Sequence, residues 1–226
     1  MKFFLTCLLF TLITVQKKPL LLEVIVKDQL TNSAIPDVRV KIRRPDGWTD
    51  EVRTNAEGVA KLNVETESRY TLTLTHPSYY VLHPPEIALA ETAPTQLIFL
   101  QPIHKGTVIR WDGIRFGINQ AELLESSAAS VTKLKTFLEE NSGLKVEIGC
   151  HTDARGKAEH LMELSRRRAS ALREELVARG IAPERLLTRG YGGRLILNQC
   201  TNIRCDMEEH ARNRRIELIV LENKGE

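Results

Sequence analysis

From Leu20 to Ile103 the chain alternates apolar and polar residues with period two in short stretches, "LLEVIVKD", "VRVKIRR", "GVAKLNVE", "RYTLTLTH" and "TQLIFLQ", and after "QPIHKGTV" that rhythm stops. Successive side chains of a strand point to opposite faces, so period-two runs separated by "SAIPD", "RPDG", "NAEG" and "HPP" predict a small antiparallel β-sandwich over residues 20–103. The later rhythm is different. "VIRWDGIRF" reads as a strand, and Glu122 to Glu140 reads as an amphipathic helix with Leu123, Leu124, Val131, Leu134, Phe137 and Leu138 on its apolar side. "LKVEIG" is a second strand, Ala158 to Arg179 a second helix ended by Gly180, "RLLTRGYG" a third strand and turn, and "RRIELIVL" a last strand. Strands alternating with helices of this length predict an α/β or α+β layer, with the domain boundary near Pro102 to Thr107.

Other features narrow the class. The opening "MKFFLTCLLFTLITVQKKPL" has a lysine and then an apolar run from Phe3 to Val15, too short for the roughly 20 residues a bilayer-crossing helix needs. Residues 1–16 therefore read as a secretory signal peptide, and the mature protein is expected to be exported. Cys7 lies inside the apolar run with little ahead of it, so it is not expected to be a lipid-attachment cysteine. A membrane barrel requires at least eight strands of roughly 9–11 residues, more than the first segment supplies. Basic and acidic residues number 32 and 29, a balance that does not nominate nucleic acid as a partner. In an oxidising compartment Cys200 and Cys205 are candidates for a disulfide closing a short loop, worth about 2 kcal/mol by chain entropy. A zinc set drawn from Cys150, His151, Cys200, Cys205 and His210 lacks CxxC or HxxxH spacing, so no metal and no cofactor is expected.

The informative residue is Arg168. At 100° per residue it falls within the arc of Leu161, Leu164, Leu172 and Leu176, whereas Arg166 lies opposite. A guanidinium cannot lose its proton, so on a dry face it needs a carboxylate or an anionic ligand. Asp153, in the turn "HTDARG" before the helix, is the expected partner. Two readings stay open on the residues alone: a helix-capping Asp153 paired with Arg168, or a binding site built from both.

"VEIGCHTDARG…LSRRRA…RLLTRGYGG…ARNRRIEL" resembles the OmpA-like carboxy-terminal domain, the peptidoglycan-binding module shared with peptidoglycan-associated lipoproteins and MotB, over roughly residues 108–222. The ending "LNQCTNIRCDMEEHARNRRIEL" looks like the form seen in Bacteroidetes members. The resemblance implies a βαβαβ domain with a mixed sheet, hence an α+β chain, and a ligand: the diaminopimelate side chain of the peptidoglycan stem peptide. On that resemblance Asp153 accepts from the ligand ammonium and Arg168 pairs with its carboxylate. Asn119 borders the pocket, and Thr152, Arg212 and Arg215 are supporting contacts, with a structural arginine bonded to strand ends as the alternative for "NRR". Two positions depart from the family pattern. Gly117 stands where an aspartate is usual, and Leu161 where an asparagine is usual, so either affinity or the preferred stem peptide is expected to differ. The stretch "IPDVRVKI…TNAEGVAKLNVETESRYTLTLTHPSYY" similarly resembles the transthyretin-like or carboxypeptidase-regulatory-like module, which implies a spacer or assembly domain without catalysis.

No enzymatic constellation is expected. Cys150 and His151 are adjacent in a strand and point to opposite faces, so they do not form a nucleophile–base dyad. The expected protein is a non-catalytic anchor in the periplasm or at the outer membrane of a Gram-negative bacterium, bound to peptidoglycan and, through its sandwich, to another envelope protein. The alternative is an envelope scaffold protein whose OmpA-like pocket is degenerate.

Overall fold

A computed structural model describes residues 17–89, 95–201 and 205–223; the expected signal segment 1–16 lies outside these. The chain divides into two compact units, one combining Leu82–Leu100 with residues up to Leu74, the other combining Thr75–Val81 with residues from Gln101 on.

The first unit carries the period-two signal. The strands of this part of the chain are β1 (Pro19–Asp28), β2 (Arg39–Arg43), β3 (Thr49–Arg53), β4 (Val59–Glu65), β5 (Ser68–His76), β6 (Tyr79–Leu82), β7 (Ile87–Leu89) and β8 (Gln96–Leu100), of which β6 falls almost wholly in Thr75–Val81 and so belongs to the second unit. One sheet has the order β4-β1-β8 and a second has β3-β2-β5-β6, with β7 also paired to β5. Alternation translates directly into burial: Leu22, Val24 and Val26 of β1, Val40 and Ile42 of β2, Leu62 of β4 and Leu74 of β5 are fully buried. The expectation of uniformly antiparallel pairing fails between β1 and β8. β1 is antiparallel to β4, with Leu22 opposite Leu62, but parallel to β8, with Val26 opposite Ile98. These strands lie far apart in sequence, so the intervening chain is long enough for the return crossover that parallel pairing needs.

Thr75–Val81, which alternation alone assigned to the first segment, groups with the second unit. Aromatic packing explains this, for the Tyr80 ring lies 5.9 Å from that of Phe137, and the Val81 N–H donates to Asn141 Oδ1 at 3.4 Å.

The second unit contains β9 (Val108–Trp111), α1 (Ala128–Glu140), β10 (Leu144–His151), α2 (Ala158–Ala178), β11 (Leu186–Gly192), α3 (Met207–Asn213) and β12 (Ile216–Asn223). Its sheet has the order β11-β10-β12-β9, with β10 parallel to β11 and antiparallel to β12, which makes it mixed. Central β10 is nearly continuously buried, as a strand covered on both faces must be. Val131, Leu134 and Leu138 of α1 and Ala169, Leu172 and Leu176 of α2 share one core with Val146 and Ile148 of β10.

Two helical expectations need correction. The first helix starts at Ala128, not Glu122, because residues 115–124 fold back on themselves: Phe116 bridges Leu123, Gly117 N–H donates to Glu122 O, and Leu124 N–H donates to Arg115 O. α3 was not anticipated. Its signal was present as "DMEE": Asp206 accepts from the Glu209 N–H at 2.7 Å while Glu209 accepts from the Asp206 N–H at 2.9 Å, a capping box.

α2 is brought unusually close to β11 by Gly190. A Cβ at Gly190 would lie 2.3 Å from the Arg166 backbone nitrogen and 2.6 Å from Ser165 Oγ. The Ser165 hydroxyl also accepts from Gly192 N–H at 2.9 Å. This contact sets the height of the helix that carries Arg168. The other polar cluster of the sheet joins buried His151 to Glu217 at 3.0 Å and stacks the imidazole on Tyr191 at 4.7 Å between centroids. Burial, and then the charge of Arg215, push the His151 pKa down to about 4 despite Glu217.

Gly190→Ala is expected to lower the stability of the second unit by about 1–3 kcal/mol through overpacking, read as a reduced urea midpoint. His151 gives a pH signature. The unfolded chain takes up a proton near the ordinary value of 6.5 while the folded imidazole resists until about 4, so stability falls as pH drops through that window and is constant above it. His151→Gln should flatten this limb; equal losses in parent and variant between neutral pH and pH near 4 would contradict the assignment.

Candidate functional site

The site forms where β10 ends. Between Cys150 and His151 the register with β11 shifts, Cys150 facing Gly190 and His151 facing Gly192, and such a bulge re-aims the chain beyond it. Thr152 N–H donates to Gly192 O and the Thr152 hydroxyl to Asp153 O, which fixes the turn that presents the Asp153 carboxylate. Asp153 and Arg168 are 7% and 8% exposed, and both line one cavity of about 870 Å3. The walls also include Phe116, Gly117, Ile118, Asn119, Thr152, Arg155, Leu161, Met207, Arg214 and Arg215.

The expected direct pairing of Asp153 with Arg168 is not what the structure contains. Arg168 donates from Nε to Gln120 O at 2.8 Å and from Nη2 to Gly117 O at 3.0 Å, and its guanidinium carbon lies 5.1 Å from the centre of the Phe116 ring. The turn that displaced the start of α1 is therefore the receptor for the arginine. Asn119, in the left-handed region at φ 55°, shapes that turn. Carbonyls satisfy the donors without neutralising the charge, and Nη1 has no hydrogen-bond acceptor among the described residues. Burial pulls the Arg168 pKa down from its ordinary value, yet an arginine stays protonated.

Asp153 has its own partners. Oδ2 accepts from Arg155 Nη2 at 2.9 Å and Arg214 Nη1 at 2.8 Å, and Oδ1 accepts from the Arg155 backbone N–H at 3.2 Å. Burial alone would raise its pKa, but the hydrogen bonds from Arg155 and Arg214 outweigh it and hold the carboxyl below its usual value. The cavity is strongly cationic: Arg110, Arg115, Arg155, Arg168, Arg214 and Arg215 line it against Asp112 and Asp153. Arg215 is already committed, donating to Glu217 Oε1 at 2.6 Å and to Leu195 O at 3.0 Å, so it is the structural arginine of the alternative reading.

Asn119, Thr152, Asp153, Leu161, Arg168 and Arg215 thus come together around the cavity. Arg212 does not line it. The side chain of Arg212 is 61% exposed and pairs with Glu208 at 3.2 Å, one turn back along α3. The neighbouring position Arg214 takes the inward place, a choice that depended on the unanticipated helix. Arg155 was missed because nothing in its spacing distinguishes a carboxylate-binding arginine from a solvated one. Leu161 is 7% exposed and presents an apolar side chain to the cavity. Cys150 is 2% exposed and burial pushes its thiol up to about 12, so it remains protonated and unfit as a nucleophile. Cys200 and Cys205 are joined in a disulfide with Cα atoms 5.8 Å apart.

Residues 115–212 match the OmpA family. The chain is 31% identical over 108 residues to outer membrane porin F of Pseudomonas fluorescens, covering 47% of this chain and 32% of that protein. It is also 31% identical over 104 residues to the peptidoglycan-associated lipoprotein of Legionella pneumophila, covering 46% of this chain and 57% of that one. It therefore spans well under the full length of either relative. Among solved structures, a putative MotB-like protein from Desulfovibrio vulgaris is similar, with 27% identity, a TM-score of 0.44, and coverage of 53% of this chain and 74% of that one. Residues 115–212, which hold most of the cavity wall, are an OmpA-family domain.

Proposed function

We propose that the protein is a non-catalytic anchor of a Gram-negative envelope that binds peptidoglycan non-covalently, taking the diaminopimelate end of the stem peptide into the cavity of the second unit. The observation that carries this reading is a buried carboxylate, Asp153, and a buried guanidinium, Arg168, lining one cavity of about 870 Å3. That volume lies in the usual range of roughly 300–1,000 Å3 for small-ligand sites. The end of diaminopimelate is an amino-acid zwitterion. Its carboxylate matches Arg168 Nη1, and its ammonium matches Asp153, provided the partly exposed Arg155 side chain yields its place on Oδ2. Each charge-assisted bond contributes about 1.5–3 kcal/mol net. The relatives support the assignment by kind, one being a peptidoglycan-associated lipoprotein.

A degenerate pocket is the second reading, and two observations favour it: Leu161 lines the cavity, and two arginines already occupy Asp153. The first unit serves, on this proposal, as a spacer that contacts another envelope protein. Leu97 and Phe99 of β8, 54% and 44% exposed, offer that contact an apolar surface.

Purified protein should cosediment with diaminopimelate-type sacculi, and Asp153→Asn or Arg168→Ala should each weaken binding by about 10- to 100-fold, the equivalent of one charge-assisted bond. Arg168 also holds the 116–120 turn, so Asp153→Asn is the cleaner variant. Equal sedimentation of parent and Asp153→Asn would establish the degenerate pocket instead. For the first unit, Leu97→Ser with Phe99→Ser should remove a cross-linked envelope partner while sacculus binding persists; an unchanged cross-linking pattern would refute that role.

A further inference from the structure

A buried histidine outside the cavity has no role in the reading above. His210, on α3, is 1% exposed, and its imidazole faces the sulfur of Cys200, with Nδ1 at 3.2 Å and Nε2 at 3.7 Å. No oxygen among the described residues bonds either ring nitrogen. A disulfide sulfur is a weak acceptor, so a polar ring has been buried against a poor partner. A disulfide does not need a histidine beside it, whereas two thiolates and an imidazole are an ordinary ligand set for zinc.

We propose that, when the disulfide is reduced, Cys200, Cys205 and His210 form a binding site for a thiophilic divalent cation of the Zn2+ class. Their ligand atoms all lie within 4.8 Å of one another. Zn–S bonds of about 2.3 Å and Zn–N bonds of about 2.0–2.1 Å in a tetrahedron imply ligand–ligand edges of roughly 3.5–3.8 Å. The 3.2 Å separation of Cys200 Sγ and His210 Nδ1 is already close to that edge. Cys205 needs only to withdraw from Cys200 once their bond is broken. The Asp206–Glu209 capping box fixes the start of α3, and His210 N–H closes an early helical bond to Asp206 O at 3.2 Å, so the imidazole is pre-positioned. Three protein ligands leave a fourth position for water on the side of Cys205, which is half-buried.

The chemistry balances with a dithiol as the reductant. Two electrons and two protons pass from the dithiol to the Cys200–Cys205 disulfide, yielding two protein thiols and the oxidised, cyclic form of the reductant. The cation then displaces both thiol protons, and neutral His210 supplies a lone pair. Disulfide and metal are alternative staples for the same place: each ties the Cys200 segment to α3, whose Met207 and Ala211 line the cavity. These three residues belong to the larger zinc set that the sequence argued against for lack of CxxC or HxxxH spacing; here the short helix delivers the third ligand at the spacing Cys-x4-Cys-x4-His.

The test uses the full chain, oxidised or reduced anaerobically with a dithiol that is then removed, and titrated with Zn2+ against a chromophoric chelator. Reduced protein is expected to bind in a 1:1 complex, with oxidised protein binding none. Co2+ in place of Zn2+ should give thiolate-to-metal absorption and a tetrahedral d–d band. Cys200→Ser, Cys205→Ser and His210→Ala should each weaken binding at least about tenfold. Cys205→Ser, at the more exposed position, decides the matter if the buried variants fail to fold by circular dichroism. Equal Zn2+ binding by reduced and oxidised protein, or by reduced parent and Cys205→Ser, would overturn the proposal. None of these outcomes depends on peptidoglycan binding.

Discussion

A guanidinium that cannot discharge has been placed on the dry side of a helix, and much of the second unit is arranged around it. Arg168 sits among Leu164, Leu172 and Leu176 of α2, all buried. Its Nε and Nη2 donors are met by two carbonyls of the 116–120 turn and its face by Phe116. This solution differs from an ion pair in one consequential way. Carbonyl oxygens satisfy hydrogen-bonding capacity but leave the net charge in place, so the positive field is directed into the cavity rather than cancelled. The turn and the helix are thereby tied together, which accounts for the late start of α1.

The carboxylate is treated in the opposite manner. Asp153 is clamped by Arg155 and Arg214 and stays ionised although it is buried. A cavity with one acid held by two arginines and one arginine held by carbonyls has an excess of positive charge. Such a lining disfavours a cation entering alone. Close packing maintains this geometry, since Gly190 lets α2 approach β11 within a distance that a methyl group would prevent.

The flank of the cavity depends on α3, a helix of only seven residues. Helices this short are marginal by themselves and need external support. The capping box, the Cys200–Cys205 staple and Asn213, which accepts from Leu197 N–H and donates to Asn198 Oδ1, provide it. Arg214 follows immediately, and its position against Asp153 is a product of that local order.

The organisation of this chain was legible in residue spacing wherever a single element decides the outcome. Period two marked most strands of the first unit, the leucine arc marked α2 with Arg168 inside it, and Gly180 with φ at 99° ended that helix as expected. Sequence also placed Asp153 and Arg168 in one neighbourhood, because strand, turn and helix are contiguous. What only the tertiary structure decided is who partners whom. The acceptors of Arg168 lie 48 and 51 positions away, Arg214 reaches Asp153 across 61 positions, and β1 lies parallel to β8. The physical reason is that periodicity reports which face of an element is dry, whereas the pairing of charges and strands follows from how separate elements are packed, and no local pattern encodes that distance.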